Sequence, residues 1–219
     1  MMMPFMCKKV VCFDLDDTLY KEIDFLESAF MEIAVSIGKP ELSQQMIEWY
    51  RKGENTFQRL NVTLGVDAPL TDYLNIYRNH KPKISLLAGV EETLEELKCR
   101  GIVLGLITDG RSVSQRNKIE ALCLDKWFAN ENIIISEEFG SEKTDENNFR
   151  YFNIKYPKAR FFYVGDNPKK DFISPNNLGW ETICLLDDGN NIHKQNFEVN
   201  NSMCPQRLIN KITDLKKIL

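Results

Sequence analysis

Residues 10–20 read Val-Val-Cys-Phe-Asp-Leu-Asp-Asp-Thr-Leu-Tyr ("VVCFDLDDTLY"). Four apolar residues are followed by three aspartates in four positions, Asp14, Asp16 and Asp17. A short apolar run without alternation suits a strand buried on both faces, as in a parallel sheet. The carboxylates then stand at the carboxyl end of that strand, where open α/β sheets bind their ligands.

Similar runs recur along the chain: "KVVCF" (9–13), "IVLGLIT" (102–108), "NIIIS" (132–136), "RFFYVGD" (160–166) and "TICLL" (182–186). Helical spacing fills the gaps, in Val90, Leu94 and Leu97 before Gly101, in Val113, Ile119 and Leu122, and in Phe149, Phe152 and Tyr156. Alternating strand and helix predicts an α/β fold, a doubly wound, Rossmann-like parallel sheet.

One interval breaks the rhythm. "FLESAFMEIAVSIG", "SQQMIEWYRKGENTFQRL" and "TDYLNIYRNH" read as three or more helices, with turns near Gly38-Lys39-Pro40 and between Gly65 and Pro69. A structureless loop of that length is not expected in a domain, so residues 20–84 are predicted to be an inserted helical subdomain on a core of residues 1–19 and 85–219. The aromatics of the insertion, among them Phe25, Phe30, Trp49, Tyr50, Phe57, Tyr73 and Tyr77, are spaced as core packing. Tyr20 opens the connection to it.

Composition narrows the classes. The 219 residues are 43% hydrophobic with a net charge of −4, and Lys and Arg are scattered among Asp and Glu, so neither nucleic acid nor an anionic membrane is an expected partner. The opening "MMMPFMCKKVVCF" has too few consecutive apolar residues for a leader or a span, which predicts a soluble, cytoplasmic protein with a frayed N-terminus. Six dispersed cysteines, Cys7, Cys12, Cys99, Cys123, Cys184 and Cys204, form no C-x-x-C pair and are expected to be buried, reduced thiols. His80 and His193 lie outside every motif and are expected on the surface or in loops. Oligomeric state is not legible.

The other strand ends are polar too. Thr108 and Asp109 follow the second run, Lys143 lies beyond the third, and Asp166 follows the fourth with Asp171 five residues on. Carboxylates gathered at one sheet edge repel one another unless a cation sits among them, and an all-oxygen set suits Mg²⁺. Because Mg²⁺ commonly shares its shell between carboxylates and a phosphate, a small phosphorylated metabolite is the expected partner. The Thr108 hydroxyl and Lys143 ammonium would hold its phosphoryl oxygens. A carboxylate can attack phosphorus to give an aspartyl phosphate, and the second Asp of a D-x-D, if protonated, could supply a proton to the leaving oxygen.

With "DLDDTL", "LITDG", "GSEKTDENNF" and "VGDNPKKD" in that order, the sequence resembles the haloacid dehalogenase (HAD) superfamily, in its phosphatase branch with a helical, C1-type cap inserted after the first strand. The resemblance implies that Asp14 is the nucleophile and Asp16 the general acid/base. It implies that Thr108 and the backbone N–H of Asp109 bind the phosphoryl group with Lys143. Asp14, the main-chain carbonyl of Asp16 and Asp166 would ligate Mg²⁺, with Asp171 acting through water or by orienting Lys143. Thr144 stands where a proline is common, and "FISPNNLGW" keeps only Gly179 of the glycines usual there.

The activity so implied is Mg²⁺-dependent hydrolysis of a small phosphomonoester, such as a sugar phosphate, phosphoglycolate or a nucleotide, under a closing cap. A phosphomutase would share every motif. A 2-haloacid dehalogenase would need no second catalytic aspartate, so Asp16 argues against it. A non-catalytic phosphometabolite-binding module would not need the full set, and a response-regulator-like phosphoacceptor is shorter and lacks the insertion.

Overall fold

Each of the five apolar runs forms a strand: β1 (Lys9–Phe13), β2 (Val103–Thr108), β3 (Ile133–Ile135), β4 (Arg160–Gly165) and β5 (Glu181–Leu185). The structure, a computed structural model, describes residues 8–219, so the expectations for Cys7 and the frayed N-terminus lie outside the described residues. A sixth strand, β6 (Arg207–Ile209), completes a sheet of order β3-β2-β1-β4-β5-β6 in which every pair is parallel. The chain is thus the α/β, doubly wound protein its periodicity predicts. β6 is invisible in the sequence because three residues are too few to show a period, and it is held by pairing Leu208 beside Cys184.

Both faces of the sheet are covered. Val11 and Phe13 of β1 pack with Val90, Leu94 and Leu97 of α5 (Val90–Cys99), and Val10 and Cys12 pack on the other side with Phe149 and Phe152 of α8 (Asn147–Lys155) and with Trp180. That explains the unbroken apolar runs. Gly105 of β2 leaves room for this second layer, since a Cβ there would lie 2.6 Å from the Cys12 sulfur and 2.7 Å from the Phe152 ring. Gly105→Ala is therefore expected to cost about 2 kcal/mol and to lower Tm by roughly 4–8 °C in a thermal melt. An unchanged Tm would show that the layer yields freely.

Between β1 and α5 the chain forms α1 (Glu22–Ser36), α2 (Leu42–Arg51), α3 (Thr56–Leu64) and α4 (Leu70–Asn79). These share a separate core of Leu26, Phe30, Ile33, Met46, Trp49, Leu60 and Tyr73. The stretch from Ser43 to Leu60 is two helices, parted at Lys52–Asn55, where the Asn55 side chain caps α3 by accepting from the Gln58 N–H. The outgoing and returning chains run side by side: Tyr20 bridges to Asp16 and Leu86, and the Leu87 N–H donates to the Leu19 carbonyl at 2.9 Å.

Three expectations are corrected. His80 is buried, with its ring 4.8 Å from that of Phe25 and its Nδ1 2.8 Å from the Tyr77 carbonyl, because the end of α4 lodges against α1. Of the five described cysteines, all free, only Cys12 and Cys184 are buried, because both lie on central strands; Cys99 and Cys123 are exposed. Val113 points outward on α6 (Ser112–Ala121), whose buried face is Gln115, Lys118 and Ile119. No helix among the described residues is long and apolar enough to cross a membrane.

Candidate active site

The site begins where β1 and β4 end. The Asp14 N–H donates to the Val164 carbonyl at 2.8 Å, extending the β1–β4 ladder by one residue and setting the Asp14 carboxylate just beyond the sheet. Asp166 follows β4 directly. Gly165 then makes the critical close approach, because a Cβ on it would meet the Asp171 carboxylate at 2.5 Å. Without one, that carboxylate lies over the strand end and accepts from the backbone N–H groups of Asp166 (3.1 Å) and Asn167 (2.8 Å).

Lys143 reaches this point from the segment between α7 (Ser136–Phe139) and α8. Its buried ammonium pairs with Asp14 and, at 2.9 Å, with Asp171. Its backbone N–H donates to the Asp109 carboxylate at 3.0 Å, so Asp109 fixes the turn that aims the lysine. Burial alone would discharge Lys143, but Asp14 and Asp171 outweigh that and hold its pKa well above the ordinary lysine value.

One ammonium does not neutralise the acids around it. Burial pushes Asp14 up to about 7, with Asp171 and Asp16 adding to the rise and Lys143 opposing it. Burial and the charges of Asp171 and Asp14 push Asp166 up to about 9. Carboxylate oxygens of Asp14, Asp166 and Asp171 all lie within 4.8 Å of one another. The donor set is therefore all oxygen, buried and short of positive charge, which fits a hard divalent cation. The Asp16 carboxylate lies outside that group, so its candidacy as a ligand rests on its main-chain carbonyl alone.

The Asp16 side chain turns instead toward α6. It accepts from Lys118 at 2.6 Å, from Gln115 at 2.9 Å and from the Tyr20 hydroxyl. Burial opposes its charge, yet Lys118 and these hydrogen bonds hold its pKa below the ordinary carboxylate range. Gln115 also donates to the Thr108 hydroxyl at 2.5 Å and orients it. Neither Gln115 nor Lys118 belongs to any of the four motifs, although both share a helix face with Ile119 and Leu122. Three-residue spacing was the signal, hidden because the face is mixed polar and apolar.

Asp17 does something different from its neighbours. With a left-handed backbone (φ 54°), it accepts from the backbone N–H groups of Glu22 (2.9 Å) and Ile192 (3.1 Å), tying the start of α1 to the loop after β5. From that loop Asn191 donates to Asp166 at 3.0 Å. The resulting cavity, about 100 Å³, brings together Asp14, Asp16, Thr108, Asp109, Lys143, Asp166 and Asp171, every candidate named from the sequence. Glu22, Lys170 and the exposed loop residue His193 also line it. This is well below the volume of a drug-sized pocket and suits a small ligand.

The sequence pattern of the haloacid dehalogenase-like hydrolases matches residues 11–185. The chain is 30% identical over 232 residues to a glyceraldehyde 3-phosphate phosphatase of Methanocaldococcus jannaschii, covering 95% of this chain and 99% of that one. It is 27% identical over 231 residues to a glyceraldehyde 3-phosphate phosphatase of Methanothermobacter thermautotrophicus, covering 96% and 99%. Among solved structures it resembles the HAD-hydrolase YfnB of Bacillus subtilis, bound to magnesium in a crystal form that reveals interdomain movement, with a TM-score of 0.71, 19% identity and coverage of 97% and 99%.

Proposed function

The chain belongs to the haloacid dehalogenase-like hydrolases, and on that premise we propose that it is a Mg²⁺-dependent phosphatase acting on a small phosphorylated metabolite through an aspartyl phosphate on Asp14. The observation that carries this reading is the buried Lys143 ammonium paired with Asp14 and Asp171, with Asp166 within reach of both carboxylates. It supports Asp14 as nucleophile and Lys143 as the phosphoryl-binding cation beside a metal-type oxygen cluster in one small cavity. The sugar-phosphate activity of the archaeal relatives supports a substrate of that size.

Asp14, Asp166 and the main-chain carbonyl of Asp16 would hold Mg²⁺, with Asp171 supporting the site through Lys143. When bound, the ion supplies positive charge against the phosphoryl oxygens. An Asp14 oxygen attacks phosphorus, forming one O–P bond as the bond to the leaving oxygen breaks and that oxygen takes a proton from Asp16. Lys143, Thr108 and the Asp109 backbone N–H hold the phosphoryl oxygens. In the second half-reaction water attacks the same phosphorus, Asp16 takes its proton, and phosphate leaves with Asp14 restored. Asp16 suits the base role as it stands, ionised beside Lys118; to act as acid it must exchange that contact for a proton.

The four-helix insertion, residues 20–84, is the cap over a core of residues 1–19 and 85–219, with the paired segments around Tyr20 and Leu86 as its hinge. Its closure would exclude water while the leaving group departs. The enzyme belongs in the cytoplasm, where its thiols stay reduced. Phosphate release from a panel of phosphomonoesters tests the reading: activity present with Mg²⁺ and lost in EDTA is expected. Equal release in both would remove the metal from the mechanism.

A further inference from the structure

We propose that Glu22, Tyr50 and Tyr77 form a subsite that reads hydroxyl groups on the leaving-group side of the substrate, selecting neutral, hydroxyl-bearing phosphomonoesters over those with a second anion. The proposal rests on the phosphatase reading above and names the substrate class within it.

Glu22 opens α1 and lines the cavity that holds Asp14 and Asp16, and among the described residues nothing hydrogen-bonds its carboxyl group. Tyr50 of α2 and Tyr77 of α4 lean on the same ring, that of Phe30, at 6.3 and 6.4 Å between centroids. Both are half-buried, and neither phenol makes a hydrogen bond to a described residue. Both lie within electrostatic reach of Glu22, whose charge helps raise their pKa values after burial has done so. A half-buried tyrosine packs its ring against apolar neighbours and keeps a polar tip that can take a partner. Two phenols and a carboxyl group from three helices thus lie within electrostatic reach of one another, Glu22 on the wall of the catalytic cavity, and none is hydrogen-bonded to a described residue.

The chemistry of the three groups matches a hydroxyl. The carboxyl oxygens accept, the phenols donate or accept, and an alcohol does both, while an aldehyde oxygen accepts from the phenols. On the Glu22 side a second anion finds no unpaired cation. The cation beside Glu22 is Lys118, already paired with Asp16 at 2.6 Å and lying 4.4 Å from the Phe25 ring centre. The charge of Lys170, the other lysine besides Lys143 on the cavity wall, acts on Asp109. A carboxylate or second phosphate placed here would face Glu22, Asp16 and Asp17 unpaired.

The test compares glycerol 3-phosphate (hydroxyls, no second anion), phosphoglycolate (a second anion, no hydroxyl) and p-nitrophenyl phosphate (neither), with Mg²⁺ present. The wild-type protein is expected to favour glycerol 3-phosphate over phosphoglycolate at least about tenfold in kcat/KM. Tyr50→Phe and Tyr77→Phe are each expected to raise KM for glycerol 3-phosphate roughly tenfold, as loss of one hydrogen bond to substrate does, and to leave p-nitrophenyl phosphate within about twofold. Glu22→Gln is expected to narrow the gap by improving phosphoglycolate. Even losses on all three substrates, or a wild-type preference for phosphoglycolate, would overturn the subsite while leaving the phosphatase intact. If no substrate releases phosphate, the phosphatase reading falls instead. Titration of glycerol 3-phosphate into Asp14→Asn, with and without Tyr77→Phe, then decides the subsite: a tenfold weakening upholds it and unchanged or absent binding ends it.

Discussion

Asp14→Asn is expected to reduce phosphate release by about a thousandfold or more, because the amide cannot form the acyl phosphate on which both half-reactions depend. Its fold should survive. Lys143 keeps Asp171 as a partner at 2.9 Å, and one negative charge is removed from a buried cluster whose members already raise one another's pKa values. Tm should therefore stay within a few degrees of the wild-type value or rise. A variant retaining a tenth of wild-type release would place the nucleophile elsewhere. An independent readout is the intermediate itself: acid-quenched wild-type protein should carry substrate-derived phosphate that hydroxylamine removes, and Asp14→Asn should carry none.

Lys143→Met is expected to damage stability and activity together. It strands the carboxylates of Asp14 and Asp171 in a site where Lys143 is 5% exposed, and removing one partner of such a buried pair costs about 3–5 kcal/mol. For a chain of this length that is a fall in Tm of roughly 6–20 °C. Phosphate release should drop on the order of a hundredfold, since the cation that balances the phosphoryl oxygens is gone. The sign of the pH dependence follows from Asp14. Its folded pKa already lies above the unfolded value and loses the opposing influence of Lys143, so its contribution is lost as pH rises above about 4 and recovered as pH falls toward it. The metal-free variant should thus approach wild-type stability in acid. A Tm matching wild type at pH 7 would mean that the ion pair adds nothing.

The two variants separate what was legible in the chain from what was not. Asp14, Thr108 and Asp166 could be located because strand ends are one-dimensional features: an apolar run stops, and the next polar residue stands at the sheet edge. Lys143 lies in no strand and no periodic helix, so its candidacy leaned on the resemblance of its motif, and its pairing with an aspartate 129 residues away is a product of packing. The three aspartates of "DLDDTL" look equivalent in the sequence. In the structure Asp14 meets Lys143, Asp16 meets Lys118, and Asp17 ties two backbone segments together.

The aromatics of the insertion make the same point. Phe25, Phe30, Trp49 and Tyr73 are the core residues their spacing predicts. Tyr50 and Tyr77 share that spacing and pack their rings as expected, but both are only partly buried. Val113 fails in the opposite direction. The face of α6 that turns inward carries Gln115 and Lys118 because it looks at Asp16 and Thr108 and not at an apolar layer.

By itself the sequence determined the parallel sheet, the helical insertion as a run of helices and the strand-end residues of the site. Each of these is written in the periodicity of contiguous residues, which local backbone geometry converts directly into a face or an end. Only the tertiary structure decided which charges pair, where β6 attaches, and which side chains of α1 and α6 turn toward the site. Those choices depend on what lies opposite each face once the elements pack, and residues as far apart as Asp16 and Lys118 carry no local mark of their meeting.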